Sequence, residues 1–118
     1  MGWTAWEKPQ GFREFEHIIY EKKQHTELGG GIARLTIDRP IVLNAFNGQT
    51  MSEFGKAFSD AEQDTRIGAI IITGAGGNFS SGGDVNWEAE ASFQESAGSE
   101  PELNRLVRMC PKVVIAAV

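Results

Sequence analysis

The stretch from Ala69 to Val85, AIIITGAGGNFSSGGDV, decides how the rest of the chain is read. Ile70, Ile71 and Ile72 form an apolar run without polar alternation, the pattern of a strand covered on both faces, as in a parallel sheet. Five glycines then lie between Gly74 and Gly83, and Asp84 follows. Glycine lets a ligand lie against bare backbone and accepts a positive φ, so that an amide N–H can turn outward. Such an N–H, held in place, binds a carbonyl oxygen as it gains negative charge. The loop therefore reads as half of an oxyanion hole.

Upstream of this strand the pattern changes twice. Residues 1–14 hold Trp3, Trp6, Pro9 and Gly11 without a clear period and are expected to form an irregular arm, its aromatics anchored on the body or on a partner subunit. Phe15 to Lys22 reads as a strand with Ile18 and Tyr20 on one face. After the turn at Gly29-Gly30-Gly31, Ile32 to Asp38 alternates: Ala33, Leu35 and Ile37 point one way, Arg34, Thr36 and Asp38 the other. Together they predict a hairpin with a loop longer than the tight two-residue kind, closed by Arg39-Pro40. Thr50 and Glu53 have the spacing of a capping box, and Met51, Phe54, Phe58 and Ala61 form one apolar stripe. These signals predict a helix from about Thr50 to Asp64. Hairpin, helix and buried strand in that order define an α/β fold built on crossover units.

Downstream, Glu88 to Glu100 is acidic and weakly patterned, the composition of a mobile surface loop. Pro101 suits the first turn of a helix whose stripe is Leu103, Leu106, Val107 and Cys110, stopped by Pro111. Val113 to Val118 is again wholly apolar and reads as a second core strand.

Bulk composition narrows the function. The 118 residues suit one modest domain, with 41% apolar and 23% charged residues. A net charge of −5 argues against nucleic acid or an anionic membrane as partner, while leaving room for a phosphate-bearing ligand held by a local Lys or Arg. The single Cys110 forms no internal disulfide and fits a reducing compartment. Its simplest reading is a small apolar residue. No run has the length of a membrane span and the N-terminus lacks signal-peptide features, so a cytoplasmic location is expected. Gly74-Ala75-Gly76-Gly77 begins like a dinucleotide fingerprint, but Phe79 stands where its third glycine belongs. Neither a P-loop nor a Gly-x-Ser-x-Gly elbow is found, and His17 and His25 lack metal-ligand spacing and read as surface residues. Neither a metal nor a covalently bound cofactor is expected.

Asp38-Arg39-Pro40, Leu43-Asn44-Ala45-Phe46, Gly68 to Gly74 and Phe79-Ser80-Ser81-Gly82-Gly83-Asp84 occur here in one order and spacing. In this the chain resembles the crotonase (enoyl-CoA hydratase/isomerase) superfamily over residues 15–118. Within it, the chain is most similar to the 1,4-dihydroxy-2-naphthoyl-CoA synthases, through Gly11-Phe12, Ile19 to Lys22, Asn44-Ala45-Phe46, Ser81 to Asp84 and Arg108 to Lys112. Ring-opening ketocyclohexanecarboxyl-CoA hydrolases share several of these features. The resemblance implies the N-terminal half of a crotonase-like ββα spiral core that takes an acyl-CoA thioester as substrate. Gly83 falls where that family supplies one of two backbone donors to the thioester oxygen. Ser81, Gly82, Asp84 and Val85 fall on the segment that cradles the adenine end of coenzyme A, and Leu43, Asn44 and Ala45 beside its phosphate arm. Asp84 also suits a turn-stabilising role, and Asn44 suits either loop bonding or ligand contact. Naphthoate-type relatives carry Arg where Leu43 stands and tend to have a basic residue where Asn86 stands, so ionic contacts at those points are missing here.

Full members of the superfamily run to more than twice this length and form homo-oligomers, trimers or hexamers. Their second donor and their acid/base residues follow the segment matched by Val118. An acyl-CoA assay of the 118-residue chain alone is therefore expected to show no turnover, and measurable hydration or ring closure would refute this reading.

Overall fold

The computed structural model describes residues 2–77 and 102–117. Ser81, Gly82, Gly83, Asp84, Val85 and the acidic stretch from Glu88 to Glu100 lie outside the described residues. The described elements are strands β1 (Ile18–Gln24), β2 (Gly31–Ile37), β3 (Ile67–Gly74) and β4 (Val113–Ala117), with helices α1 (Gly48–Gln63) and α2 (Glu102–Met109). Among the described residues they form a mixed sheet in the order β1-β2-β3-β4. β1 and β2 are the expected antiparallel hairpin, with Tyr20 opposite Leu35. β2 and β3 run parallel with Leu35 opposite Ile72, and β3 and β4 run parallel with Ile70 opposite Val114.

Strand alternation sorts the side chains into two faces. Ile18, Tyr20, Ala33, Leu35, Ile37, Ile70 and Ile72 are buried on one face against Met51, Phe54, Ala57, Phe58 and Ala61 of α1. Phe54 and Phe58 stack with ring centres 5.6 Å apart, and Phe46 approaches Phe54 at 6.2 Å. Each large side chain so buried stabilises the fold by roughly 1.5–3 kcal/mol, so this one face accounts for the docking of α1. On the other face, the register aligns Glu21, Arg34, Ile71 and Ile115 in one row and Lys23, Ile32, Ala69 and Val113 in the next. Trp6 covers part of it, lying 4.0 Å from the Arg34 guanidinium and 4.6 Å from the Lys23 ammonium.

Four expectations change in detail. β1 starts at Ile18 rather than Phe15, because the Glu53 carboxylate accepts the N–H groups of Glu16 (3.2 Å), His17 (2.8 Å) and Ile18 (3.0 Å) and draws the entering chain toward α1. The helix starts at Gly48 rather than Thr50: Asn47 is its cap, accepting from the Thr50 N–H, while the Thr50 hydroxyl accepts from the Asn47 N–H. Glu53 is therefore no capping-box partner but a buried anchor for β1. Among the described residues β4 lies at the edge of the sheet, with Val113 and Ile115 62% and 49% exposed, and only Val114 of this strand packs toward the core, since alternation turns its neighbours to the other face. The histidines are half-buried and bonded: His17 Nδ1 lies 2.9 Å from the Thr50 hydroxyl, and His25 Nδ1 accepts from the N–H groups of Glu27 and Leu28. The arm, though irregular, pairs with β1 at Glu7–Lys22 and Trp3–His25, which covers the strand's free edge.

A charged cluster ties β1 to the C-terminal end of α1. The Tyr20 hydroxyl donates to Asp60 (2.6 Å), and the Lys22 ammonium reaches Asp60 (2.7 Å) and Asp64 (2.8 Å). Lys112 closes the same end of the helix by donating to the carbonyls of Ala61 (2.8 Å) and Asp64 (2.6 Å). Burial works to raise the Asp64 carboxyl, but the Lys22 ammonium and the Arg66 N–H outweigh it and hold the group down at about 2. Burial pushes the Tyr20 phenol up, reinforced by its bond to Asp60. Lys22 stands above its usual range because Asp60 and Asp64 outweigh the opposing effect of burial. Asp64 thus contributes stability that is complete above its ordinary value of 3.8 and lost as pH falls toward about 2. Tyr20 and Lys22 contribute stability that is complete below their ordinary values near 10 and lost as pH rises beyond them. Urea midpoints measured against pH should fall at both ends, and Asp64→Asn should flatten the acid limb; an unchanged acid limb in that variant would refute the assignment.

Candidate functional site

Ligands of open α/β sheets bind outside the carboxyl ends of the parallel strands. Here those ends are set side by side, because Ile37 at the end of β2 lies opposite Gly74 at the end of β3. Two loops leave them, residues 38–47 toward α1 and 75–77 toward the glycine-rich segment. The first begins with a 3-10 turn, Pro40–Val42, after which Leu43 and Asn44 both adopt left-handed backbone, with φ of 53° and 58°. Every N–H from Leu43 to Ala45 is used within the loop, donating to the carbonyls of Pro40 (3.1 Å), Arg39 (2.7 Å) and Val42 (3.1 Å) respectively.

Asn44 joins the two loops. Its side chain is 0% exposed; Oδ1 accepts from the Arg39 N–H (2.8 Å) and Nδ2 donates to the Ala75 carbonyl (2.8 Å). Of the two roles its sequence context left open, loop bonding is the one the structure shows. The Arg39 guanidinium adds a bond to the Ala45 carbonyl. Gly76 completes the interlock: its φ is 75°, and a Cβ there would come within 3.1 Å of Pro40 Cβ. A side chain at position 76 would thus strain the backbone and press the loops apart.

The loop presents an apolar ridge on its outside, with Ile41 97% and Leu43 59% exposed, while Ala45 is buried beneath. Leu43, Asn44 and Ala45 are therefore brought beside the turn that leads to Gly82 and Gly83, and these three are the expected site residues that the described structure contains. Arg39 is the residue that sequence reasoning passed over. It was read as the end of a strand and as part of the Asp38-Arg39-Pro40 motif, and that motif was the nearest signal of its bond to Ala45. A groove of about 900 Å³ also runs along α1 between Phe12 and Leu106, but Ser52, Lys56, Ser59 and Asp60 in its lining are one helix's own surface rather than groups converging from several elements. Among the described residues, no cluster of His, Cys, Asp or Glu has a metal-binding arrangement, and no helix is long and apolar enough to cross a membrane.

The architecture places this chain among mixed α/β proteins, and solved structures share it. An enoyl-CoA hydratase/isomerase from Xanthobacter autotrophicus Py2 is similar with a TM-score of 0.66 and 33% identity, over 88% of this chain and 39% of that one. An enoyl-CoA hydratase/isomerase from Mycobacterium paratuberculosis gives 0.65 and 30% identity, over 89% and 38%. A probable enoyl-CoA hydratase from Mycobacterium smegmatis gives 0.67 and 30% identity, over 86% and 40%. The chain spans about two fifths of the length of these relatives. Residues 27–118 also match the family model described as enoyl-CoA hydratase/isomerase. The chain belongs to the enoyl-CoA hydratase/isomerase family.

Substitution of Asn44 separates its two structural duties. Asn44→Ala and Asn44→Gly both leave the Arg39 N–H and the Ala75 carbonyl without their partner, at a cost of roughly 1–3 kcal/mol. Alanine should cost about 1 kcal/mol more, because it lacks glycine's tolerance of left-handed backbone. Chemical denaturation of both variants measures this, and equal stability of Asn44→Ala and the parent would overturn the bridging role.

Proposed function

We propose that the chain contributes the first half of an acyl-CoA site that stabilises a thioester enolate. The observation that carries the reading is the Asn44 bridge, which fixes the carboxyl ends of β2 and β3 next to the turn leading into Ser81-Gly82-Gly83-Asp84. Membership in a family whose solved members are named as enoyl-CoA hydratases supports the substrate class. Removing a proton next to a thioester carbonyl moves electron density onto its oxygen, and a backbone N–H fixed in a dry pocket stabilises that oxyanion. Gly83 supplies this N–H, while Ser81, Gly82, Asp84 and Val85 cradle the adenine end of coenzyme A. Leu43, Asn44 and Ala45 flank the phosphate arm; with Leu43 apolar, this flank offers packing rather than an ionic contact. No metal or covalent cofactor enters this chemistry, and the whole protein acts in the cytoplasm as a homo-oligomer, a trimer or hexamer.

The reaction outcome closest to the sequence motifs is the ring closure of a 1,4-dihydroxy-2-naphthoyl-CoA synthase. Hydration or isomerisation of an enoyl-CoA is the alternative favoured by the names of the solved relatives. A ring-opening hydrolase and a non-catalytic coenzyme A-binding or subunit-interaction role are the remaining readings. Assaying the protein for hydration of crotonyl-CoA beside formation of 1,4-dihydroxy-2-naphthoyl-CoA separates them.

The donor itself is tested by Gly83→Pro, which removes the N–H, against Gly83→Ala, which keeps it. Turnover in the proline variant should fall by roughly 10²–10³, well beyond the loss in the alanine variant. Proline activity equal to that of alanine would remove Gly83 from the oxyanion hole.

A further inference from the structure

We propose that the apolar ridge Ile41-Val42-Leu43 sets the specificity of the thioester site for its carrier. It packs against the uncharged pantetheine arm, and the nucleotide phosphates contribute little to binding. This deepens the acyl-CoA reading and rests on it. The three side chains are consecutive and 97%, 40% and 59% exposed, whereas Asn44, Ala45 and Phe46 directly after them are buried. One exposed apolar side chain is ordinary, but three on a single short turn form a patch that water disfavours. The Asn44 amide ties this turn to Ala75, which sets the patch beside the start of the glycine-rich segment. Leu43 holds left-handed backbone at φ 53° and its N–H is bonded back to the Pro40 carbonyl, so the ridge is a fixed surface.

A site that reads phosphate needs cations within hydrogen-bonding reach. Residues 38–47 and 75–101 together contain one basic residue, Arg39, against two Asp and four Glu. The Arg39 guanidinium is turned inward, donating to the carbonyl of the buried Ala45. Arg34 stands three residues before the end of β2 and pairs with Glu21 at 2.8 Å. Lys56 lies eight residues along α1 from Gly48, about 12 Å down the axis and beyond the screening length of about 8 Å at physiological salt. These loops therefore offer the diphosphate and 3′-phosphate of coenzyme A little attraction. The ridge instead gains from the methyl and methylene groups of the pantetheine arm as water leaves both surfaces. Affinity resides in the arm and the thioester, and an ester lacking the 3′-phosphate is accepted as readily as the coenzyme A ester.

Calorimetric titration of the whole protein with butyryl-CoA, butyryl-3′-dephospho-CoA and S-butyryl-pantetheine tests this, since saturated esters are not consumed by hydration. The first two dissociation constants should agree within about fivefold and change little between low and high salt. Leu43→Arg keeps a side chain on the same backbone; it should favour butyryl-CoA over the dephospho ester by about tenfold or more and make binding salt-sensitive. Leu43→Ser should weaken all three esters alike, by about threefold or more. Circular dichroism confirms that both variants are folded. A parent preference for butyryl-CoA beyond about fivefold, or Leu43 variants that bind as the parent does, overturns the proposal and leaves the acyl-CoA reading standing. Binding of none of the three esters removes that reading and this proposal with it.

Discussion

One buried amide holds the loop edge of this chain together. Asn44 accepts from Arg39 and donates to Ala75, so a single side chain spans from the loop after β2 to the loop after β3. Its left-handed backbone is needed for both contacts, and asparagine is among the few non-glycine residues that adopt it at low cost. Gly76 on the facing turn must be small for the same reason, since Pro40 closes against it. Once these are in place, the backbone leaving β3 has a fixed starting point and the glycine-rich segment begins at a defined position.

That bridge rests on a scaffold in which the buried charges are satisfied by backbone. Glu53 sits on the core side of α1, yet three N–H groups of the chain entering β1 and the Gln49 amide surround its carboxylate. Burial works to raise this carboxyl, and those four donors outweigh it and hold it below its usual range. A charge buried without such partners would be costly; with them it becomes a rigid link between helix and strand. Lys112 performs the reciprocal service at the other end of α1, where two carbonyls receive its ammonium. The helix is thus gripped at both ends by residues far away in the chain, and the first turn of the helix stays in place beside the loop edge.

The two faces of the sheet have unlike roles. One carries the aromatic core under α1; the other mixes Arg34, Glu21 and Lys23 with Ile32, Ile71, Val113 and Ile115. Arg34 pairs with Glu21 at 2.8 Å and stacks under Trp6, so even the charged part of that face is ordered by its neighbours. The arm is therefore part of the fold: it completes the edge of β1 and, through Trp6, covers part of the second face.

The alternation of Ala33, Leu35 and Ile37 and the stripe of Met51, Phe54, Phe58 and Ala61 by themselves determined the hairpin, the helix and the face each would bury, because period alone dictates which side chains share a side. The order of short motifs likewise determined the family, and hence the chemistry to look for. Only the tertiary structure decided which polar residues serve the fold. Glu53 has the spacing of a capping partner, but the cap is Asn47, because the chain entering β1 arrives within reach of Glu53 and competes for its oxygens. Asn44 is suited by type alone to a ligand or to a loop; the arrival of Ala75 from thirty-one residues away gives its amide a loop partner. Val113 to Ala117 is apolar enough for a core strand, yet its place at the edge among the described strands leaves Val113 and Ile115 exposed. In each case the deciding partner is distant in sequence, and a local pattern carries no record of where a remote segment will fold.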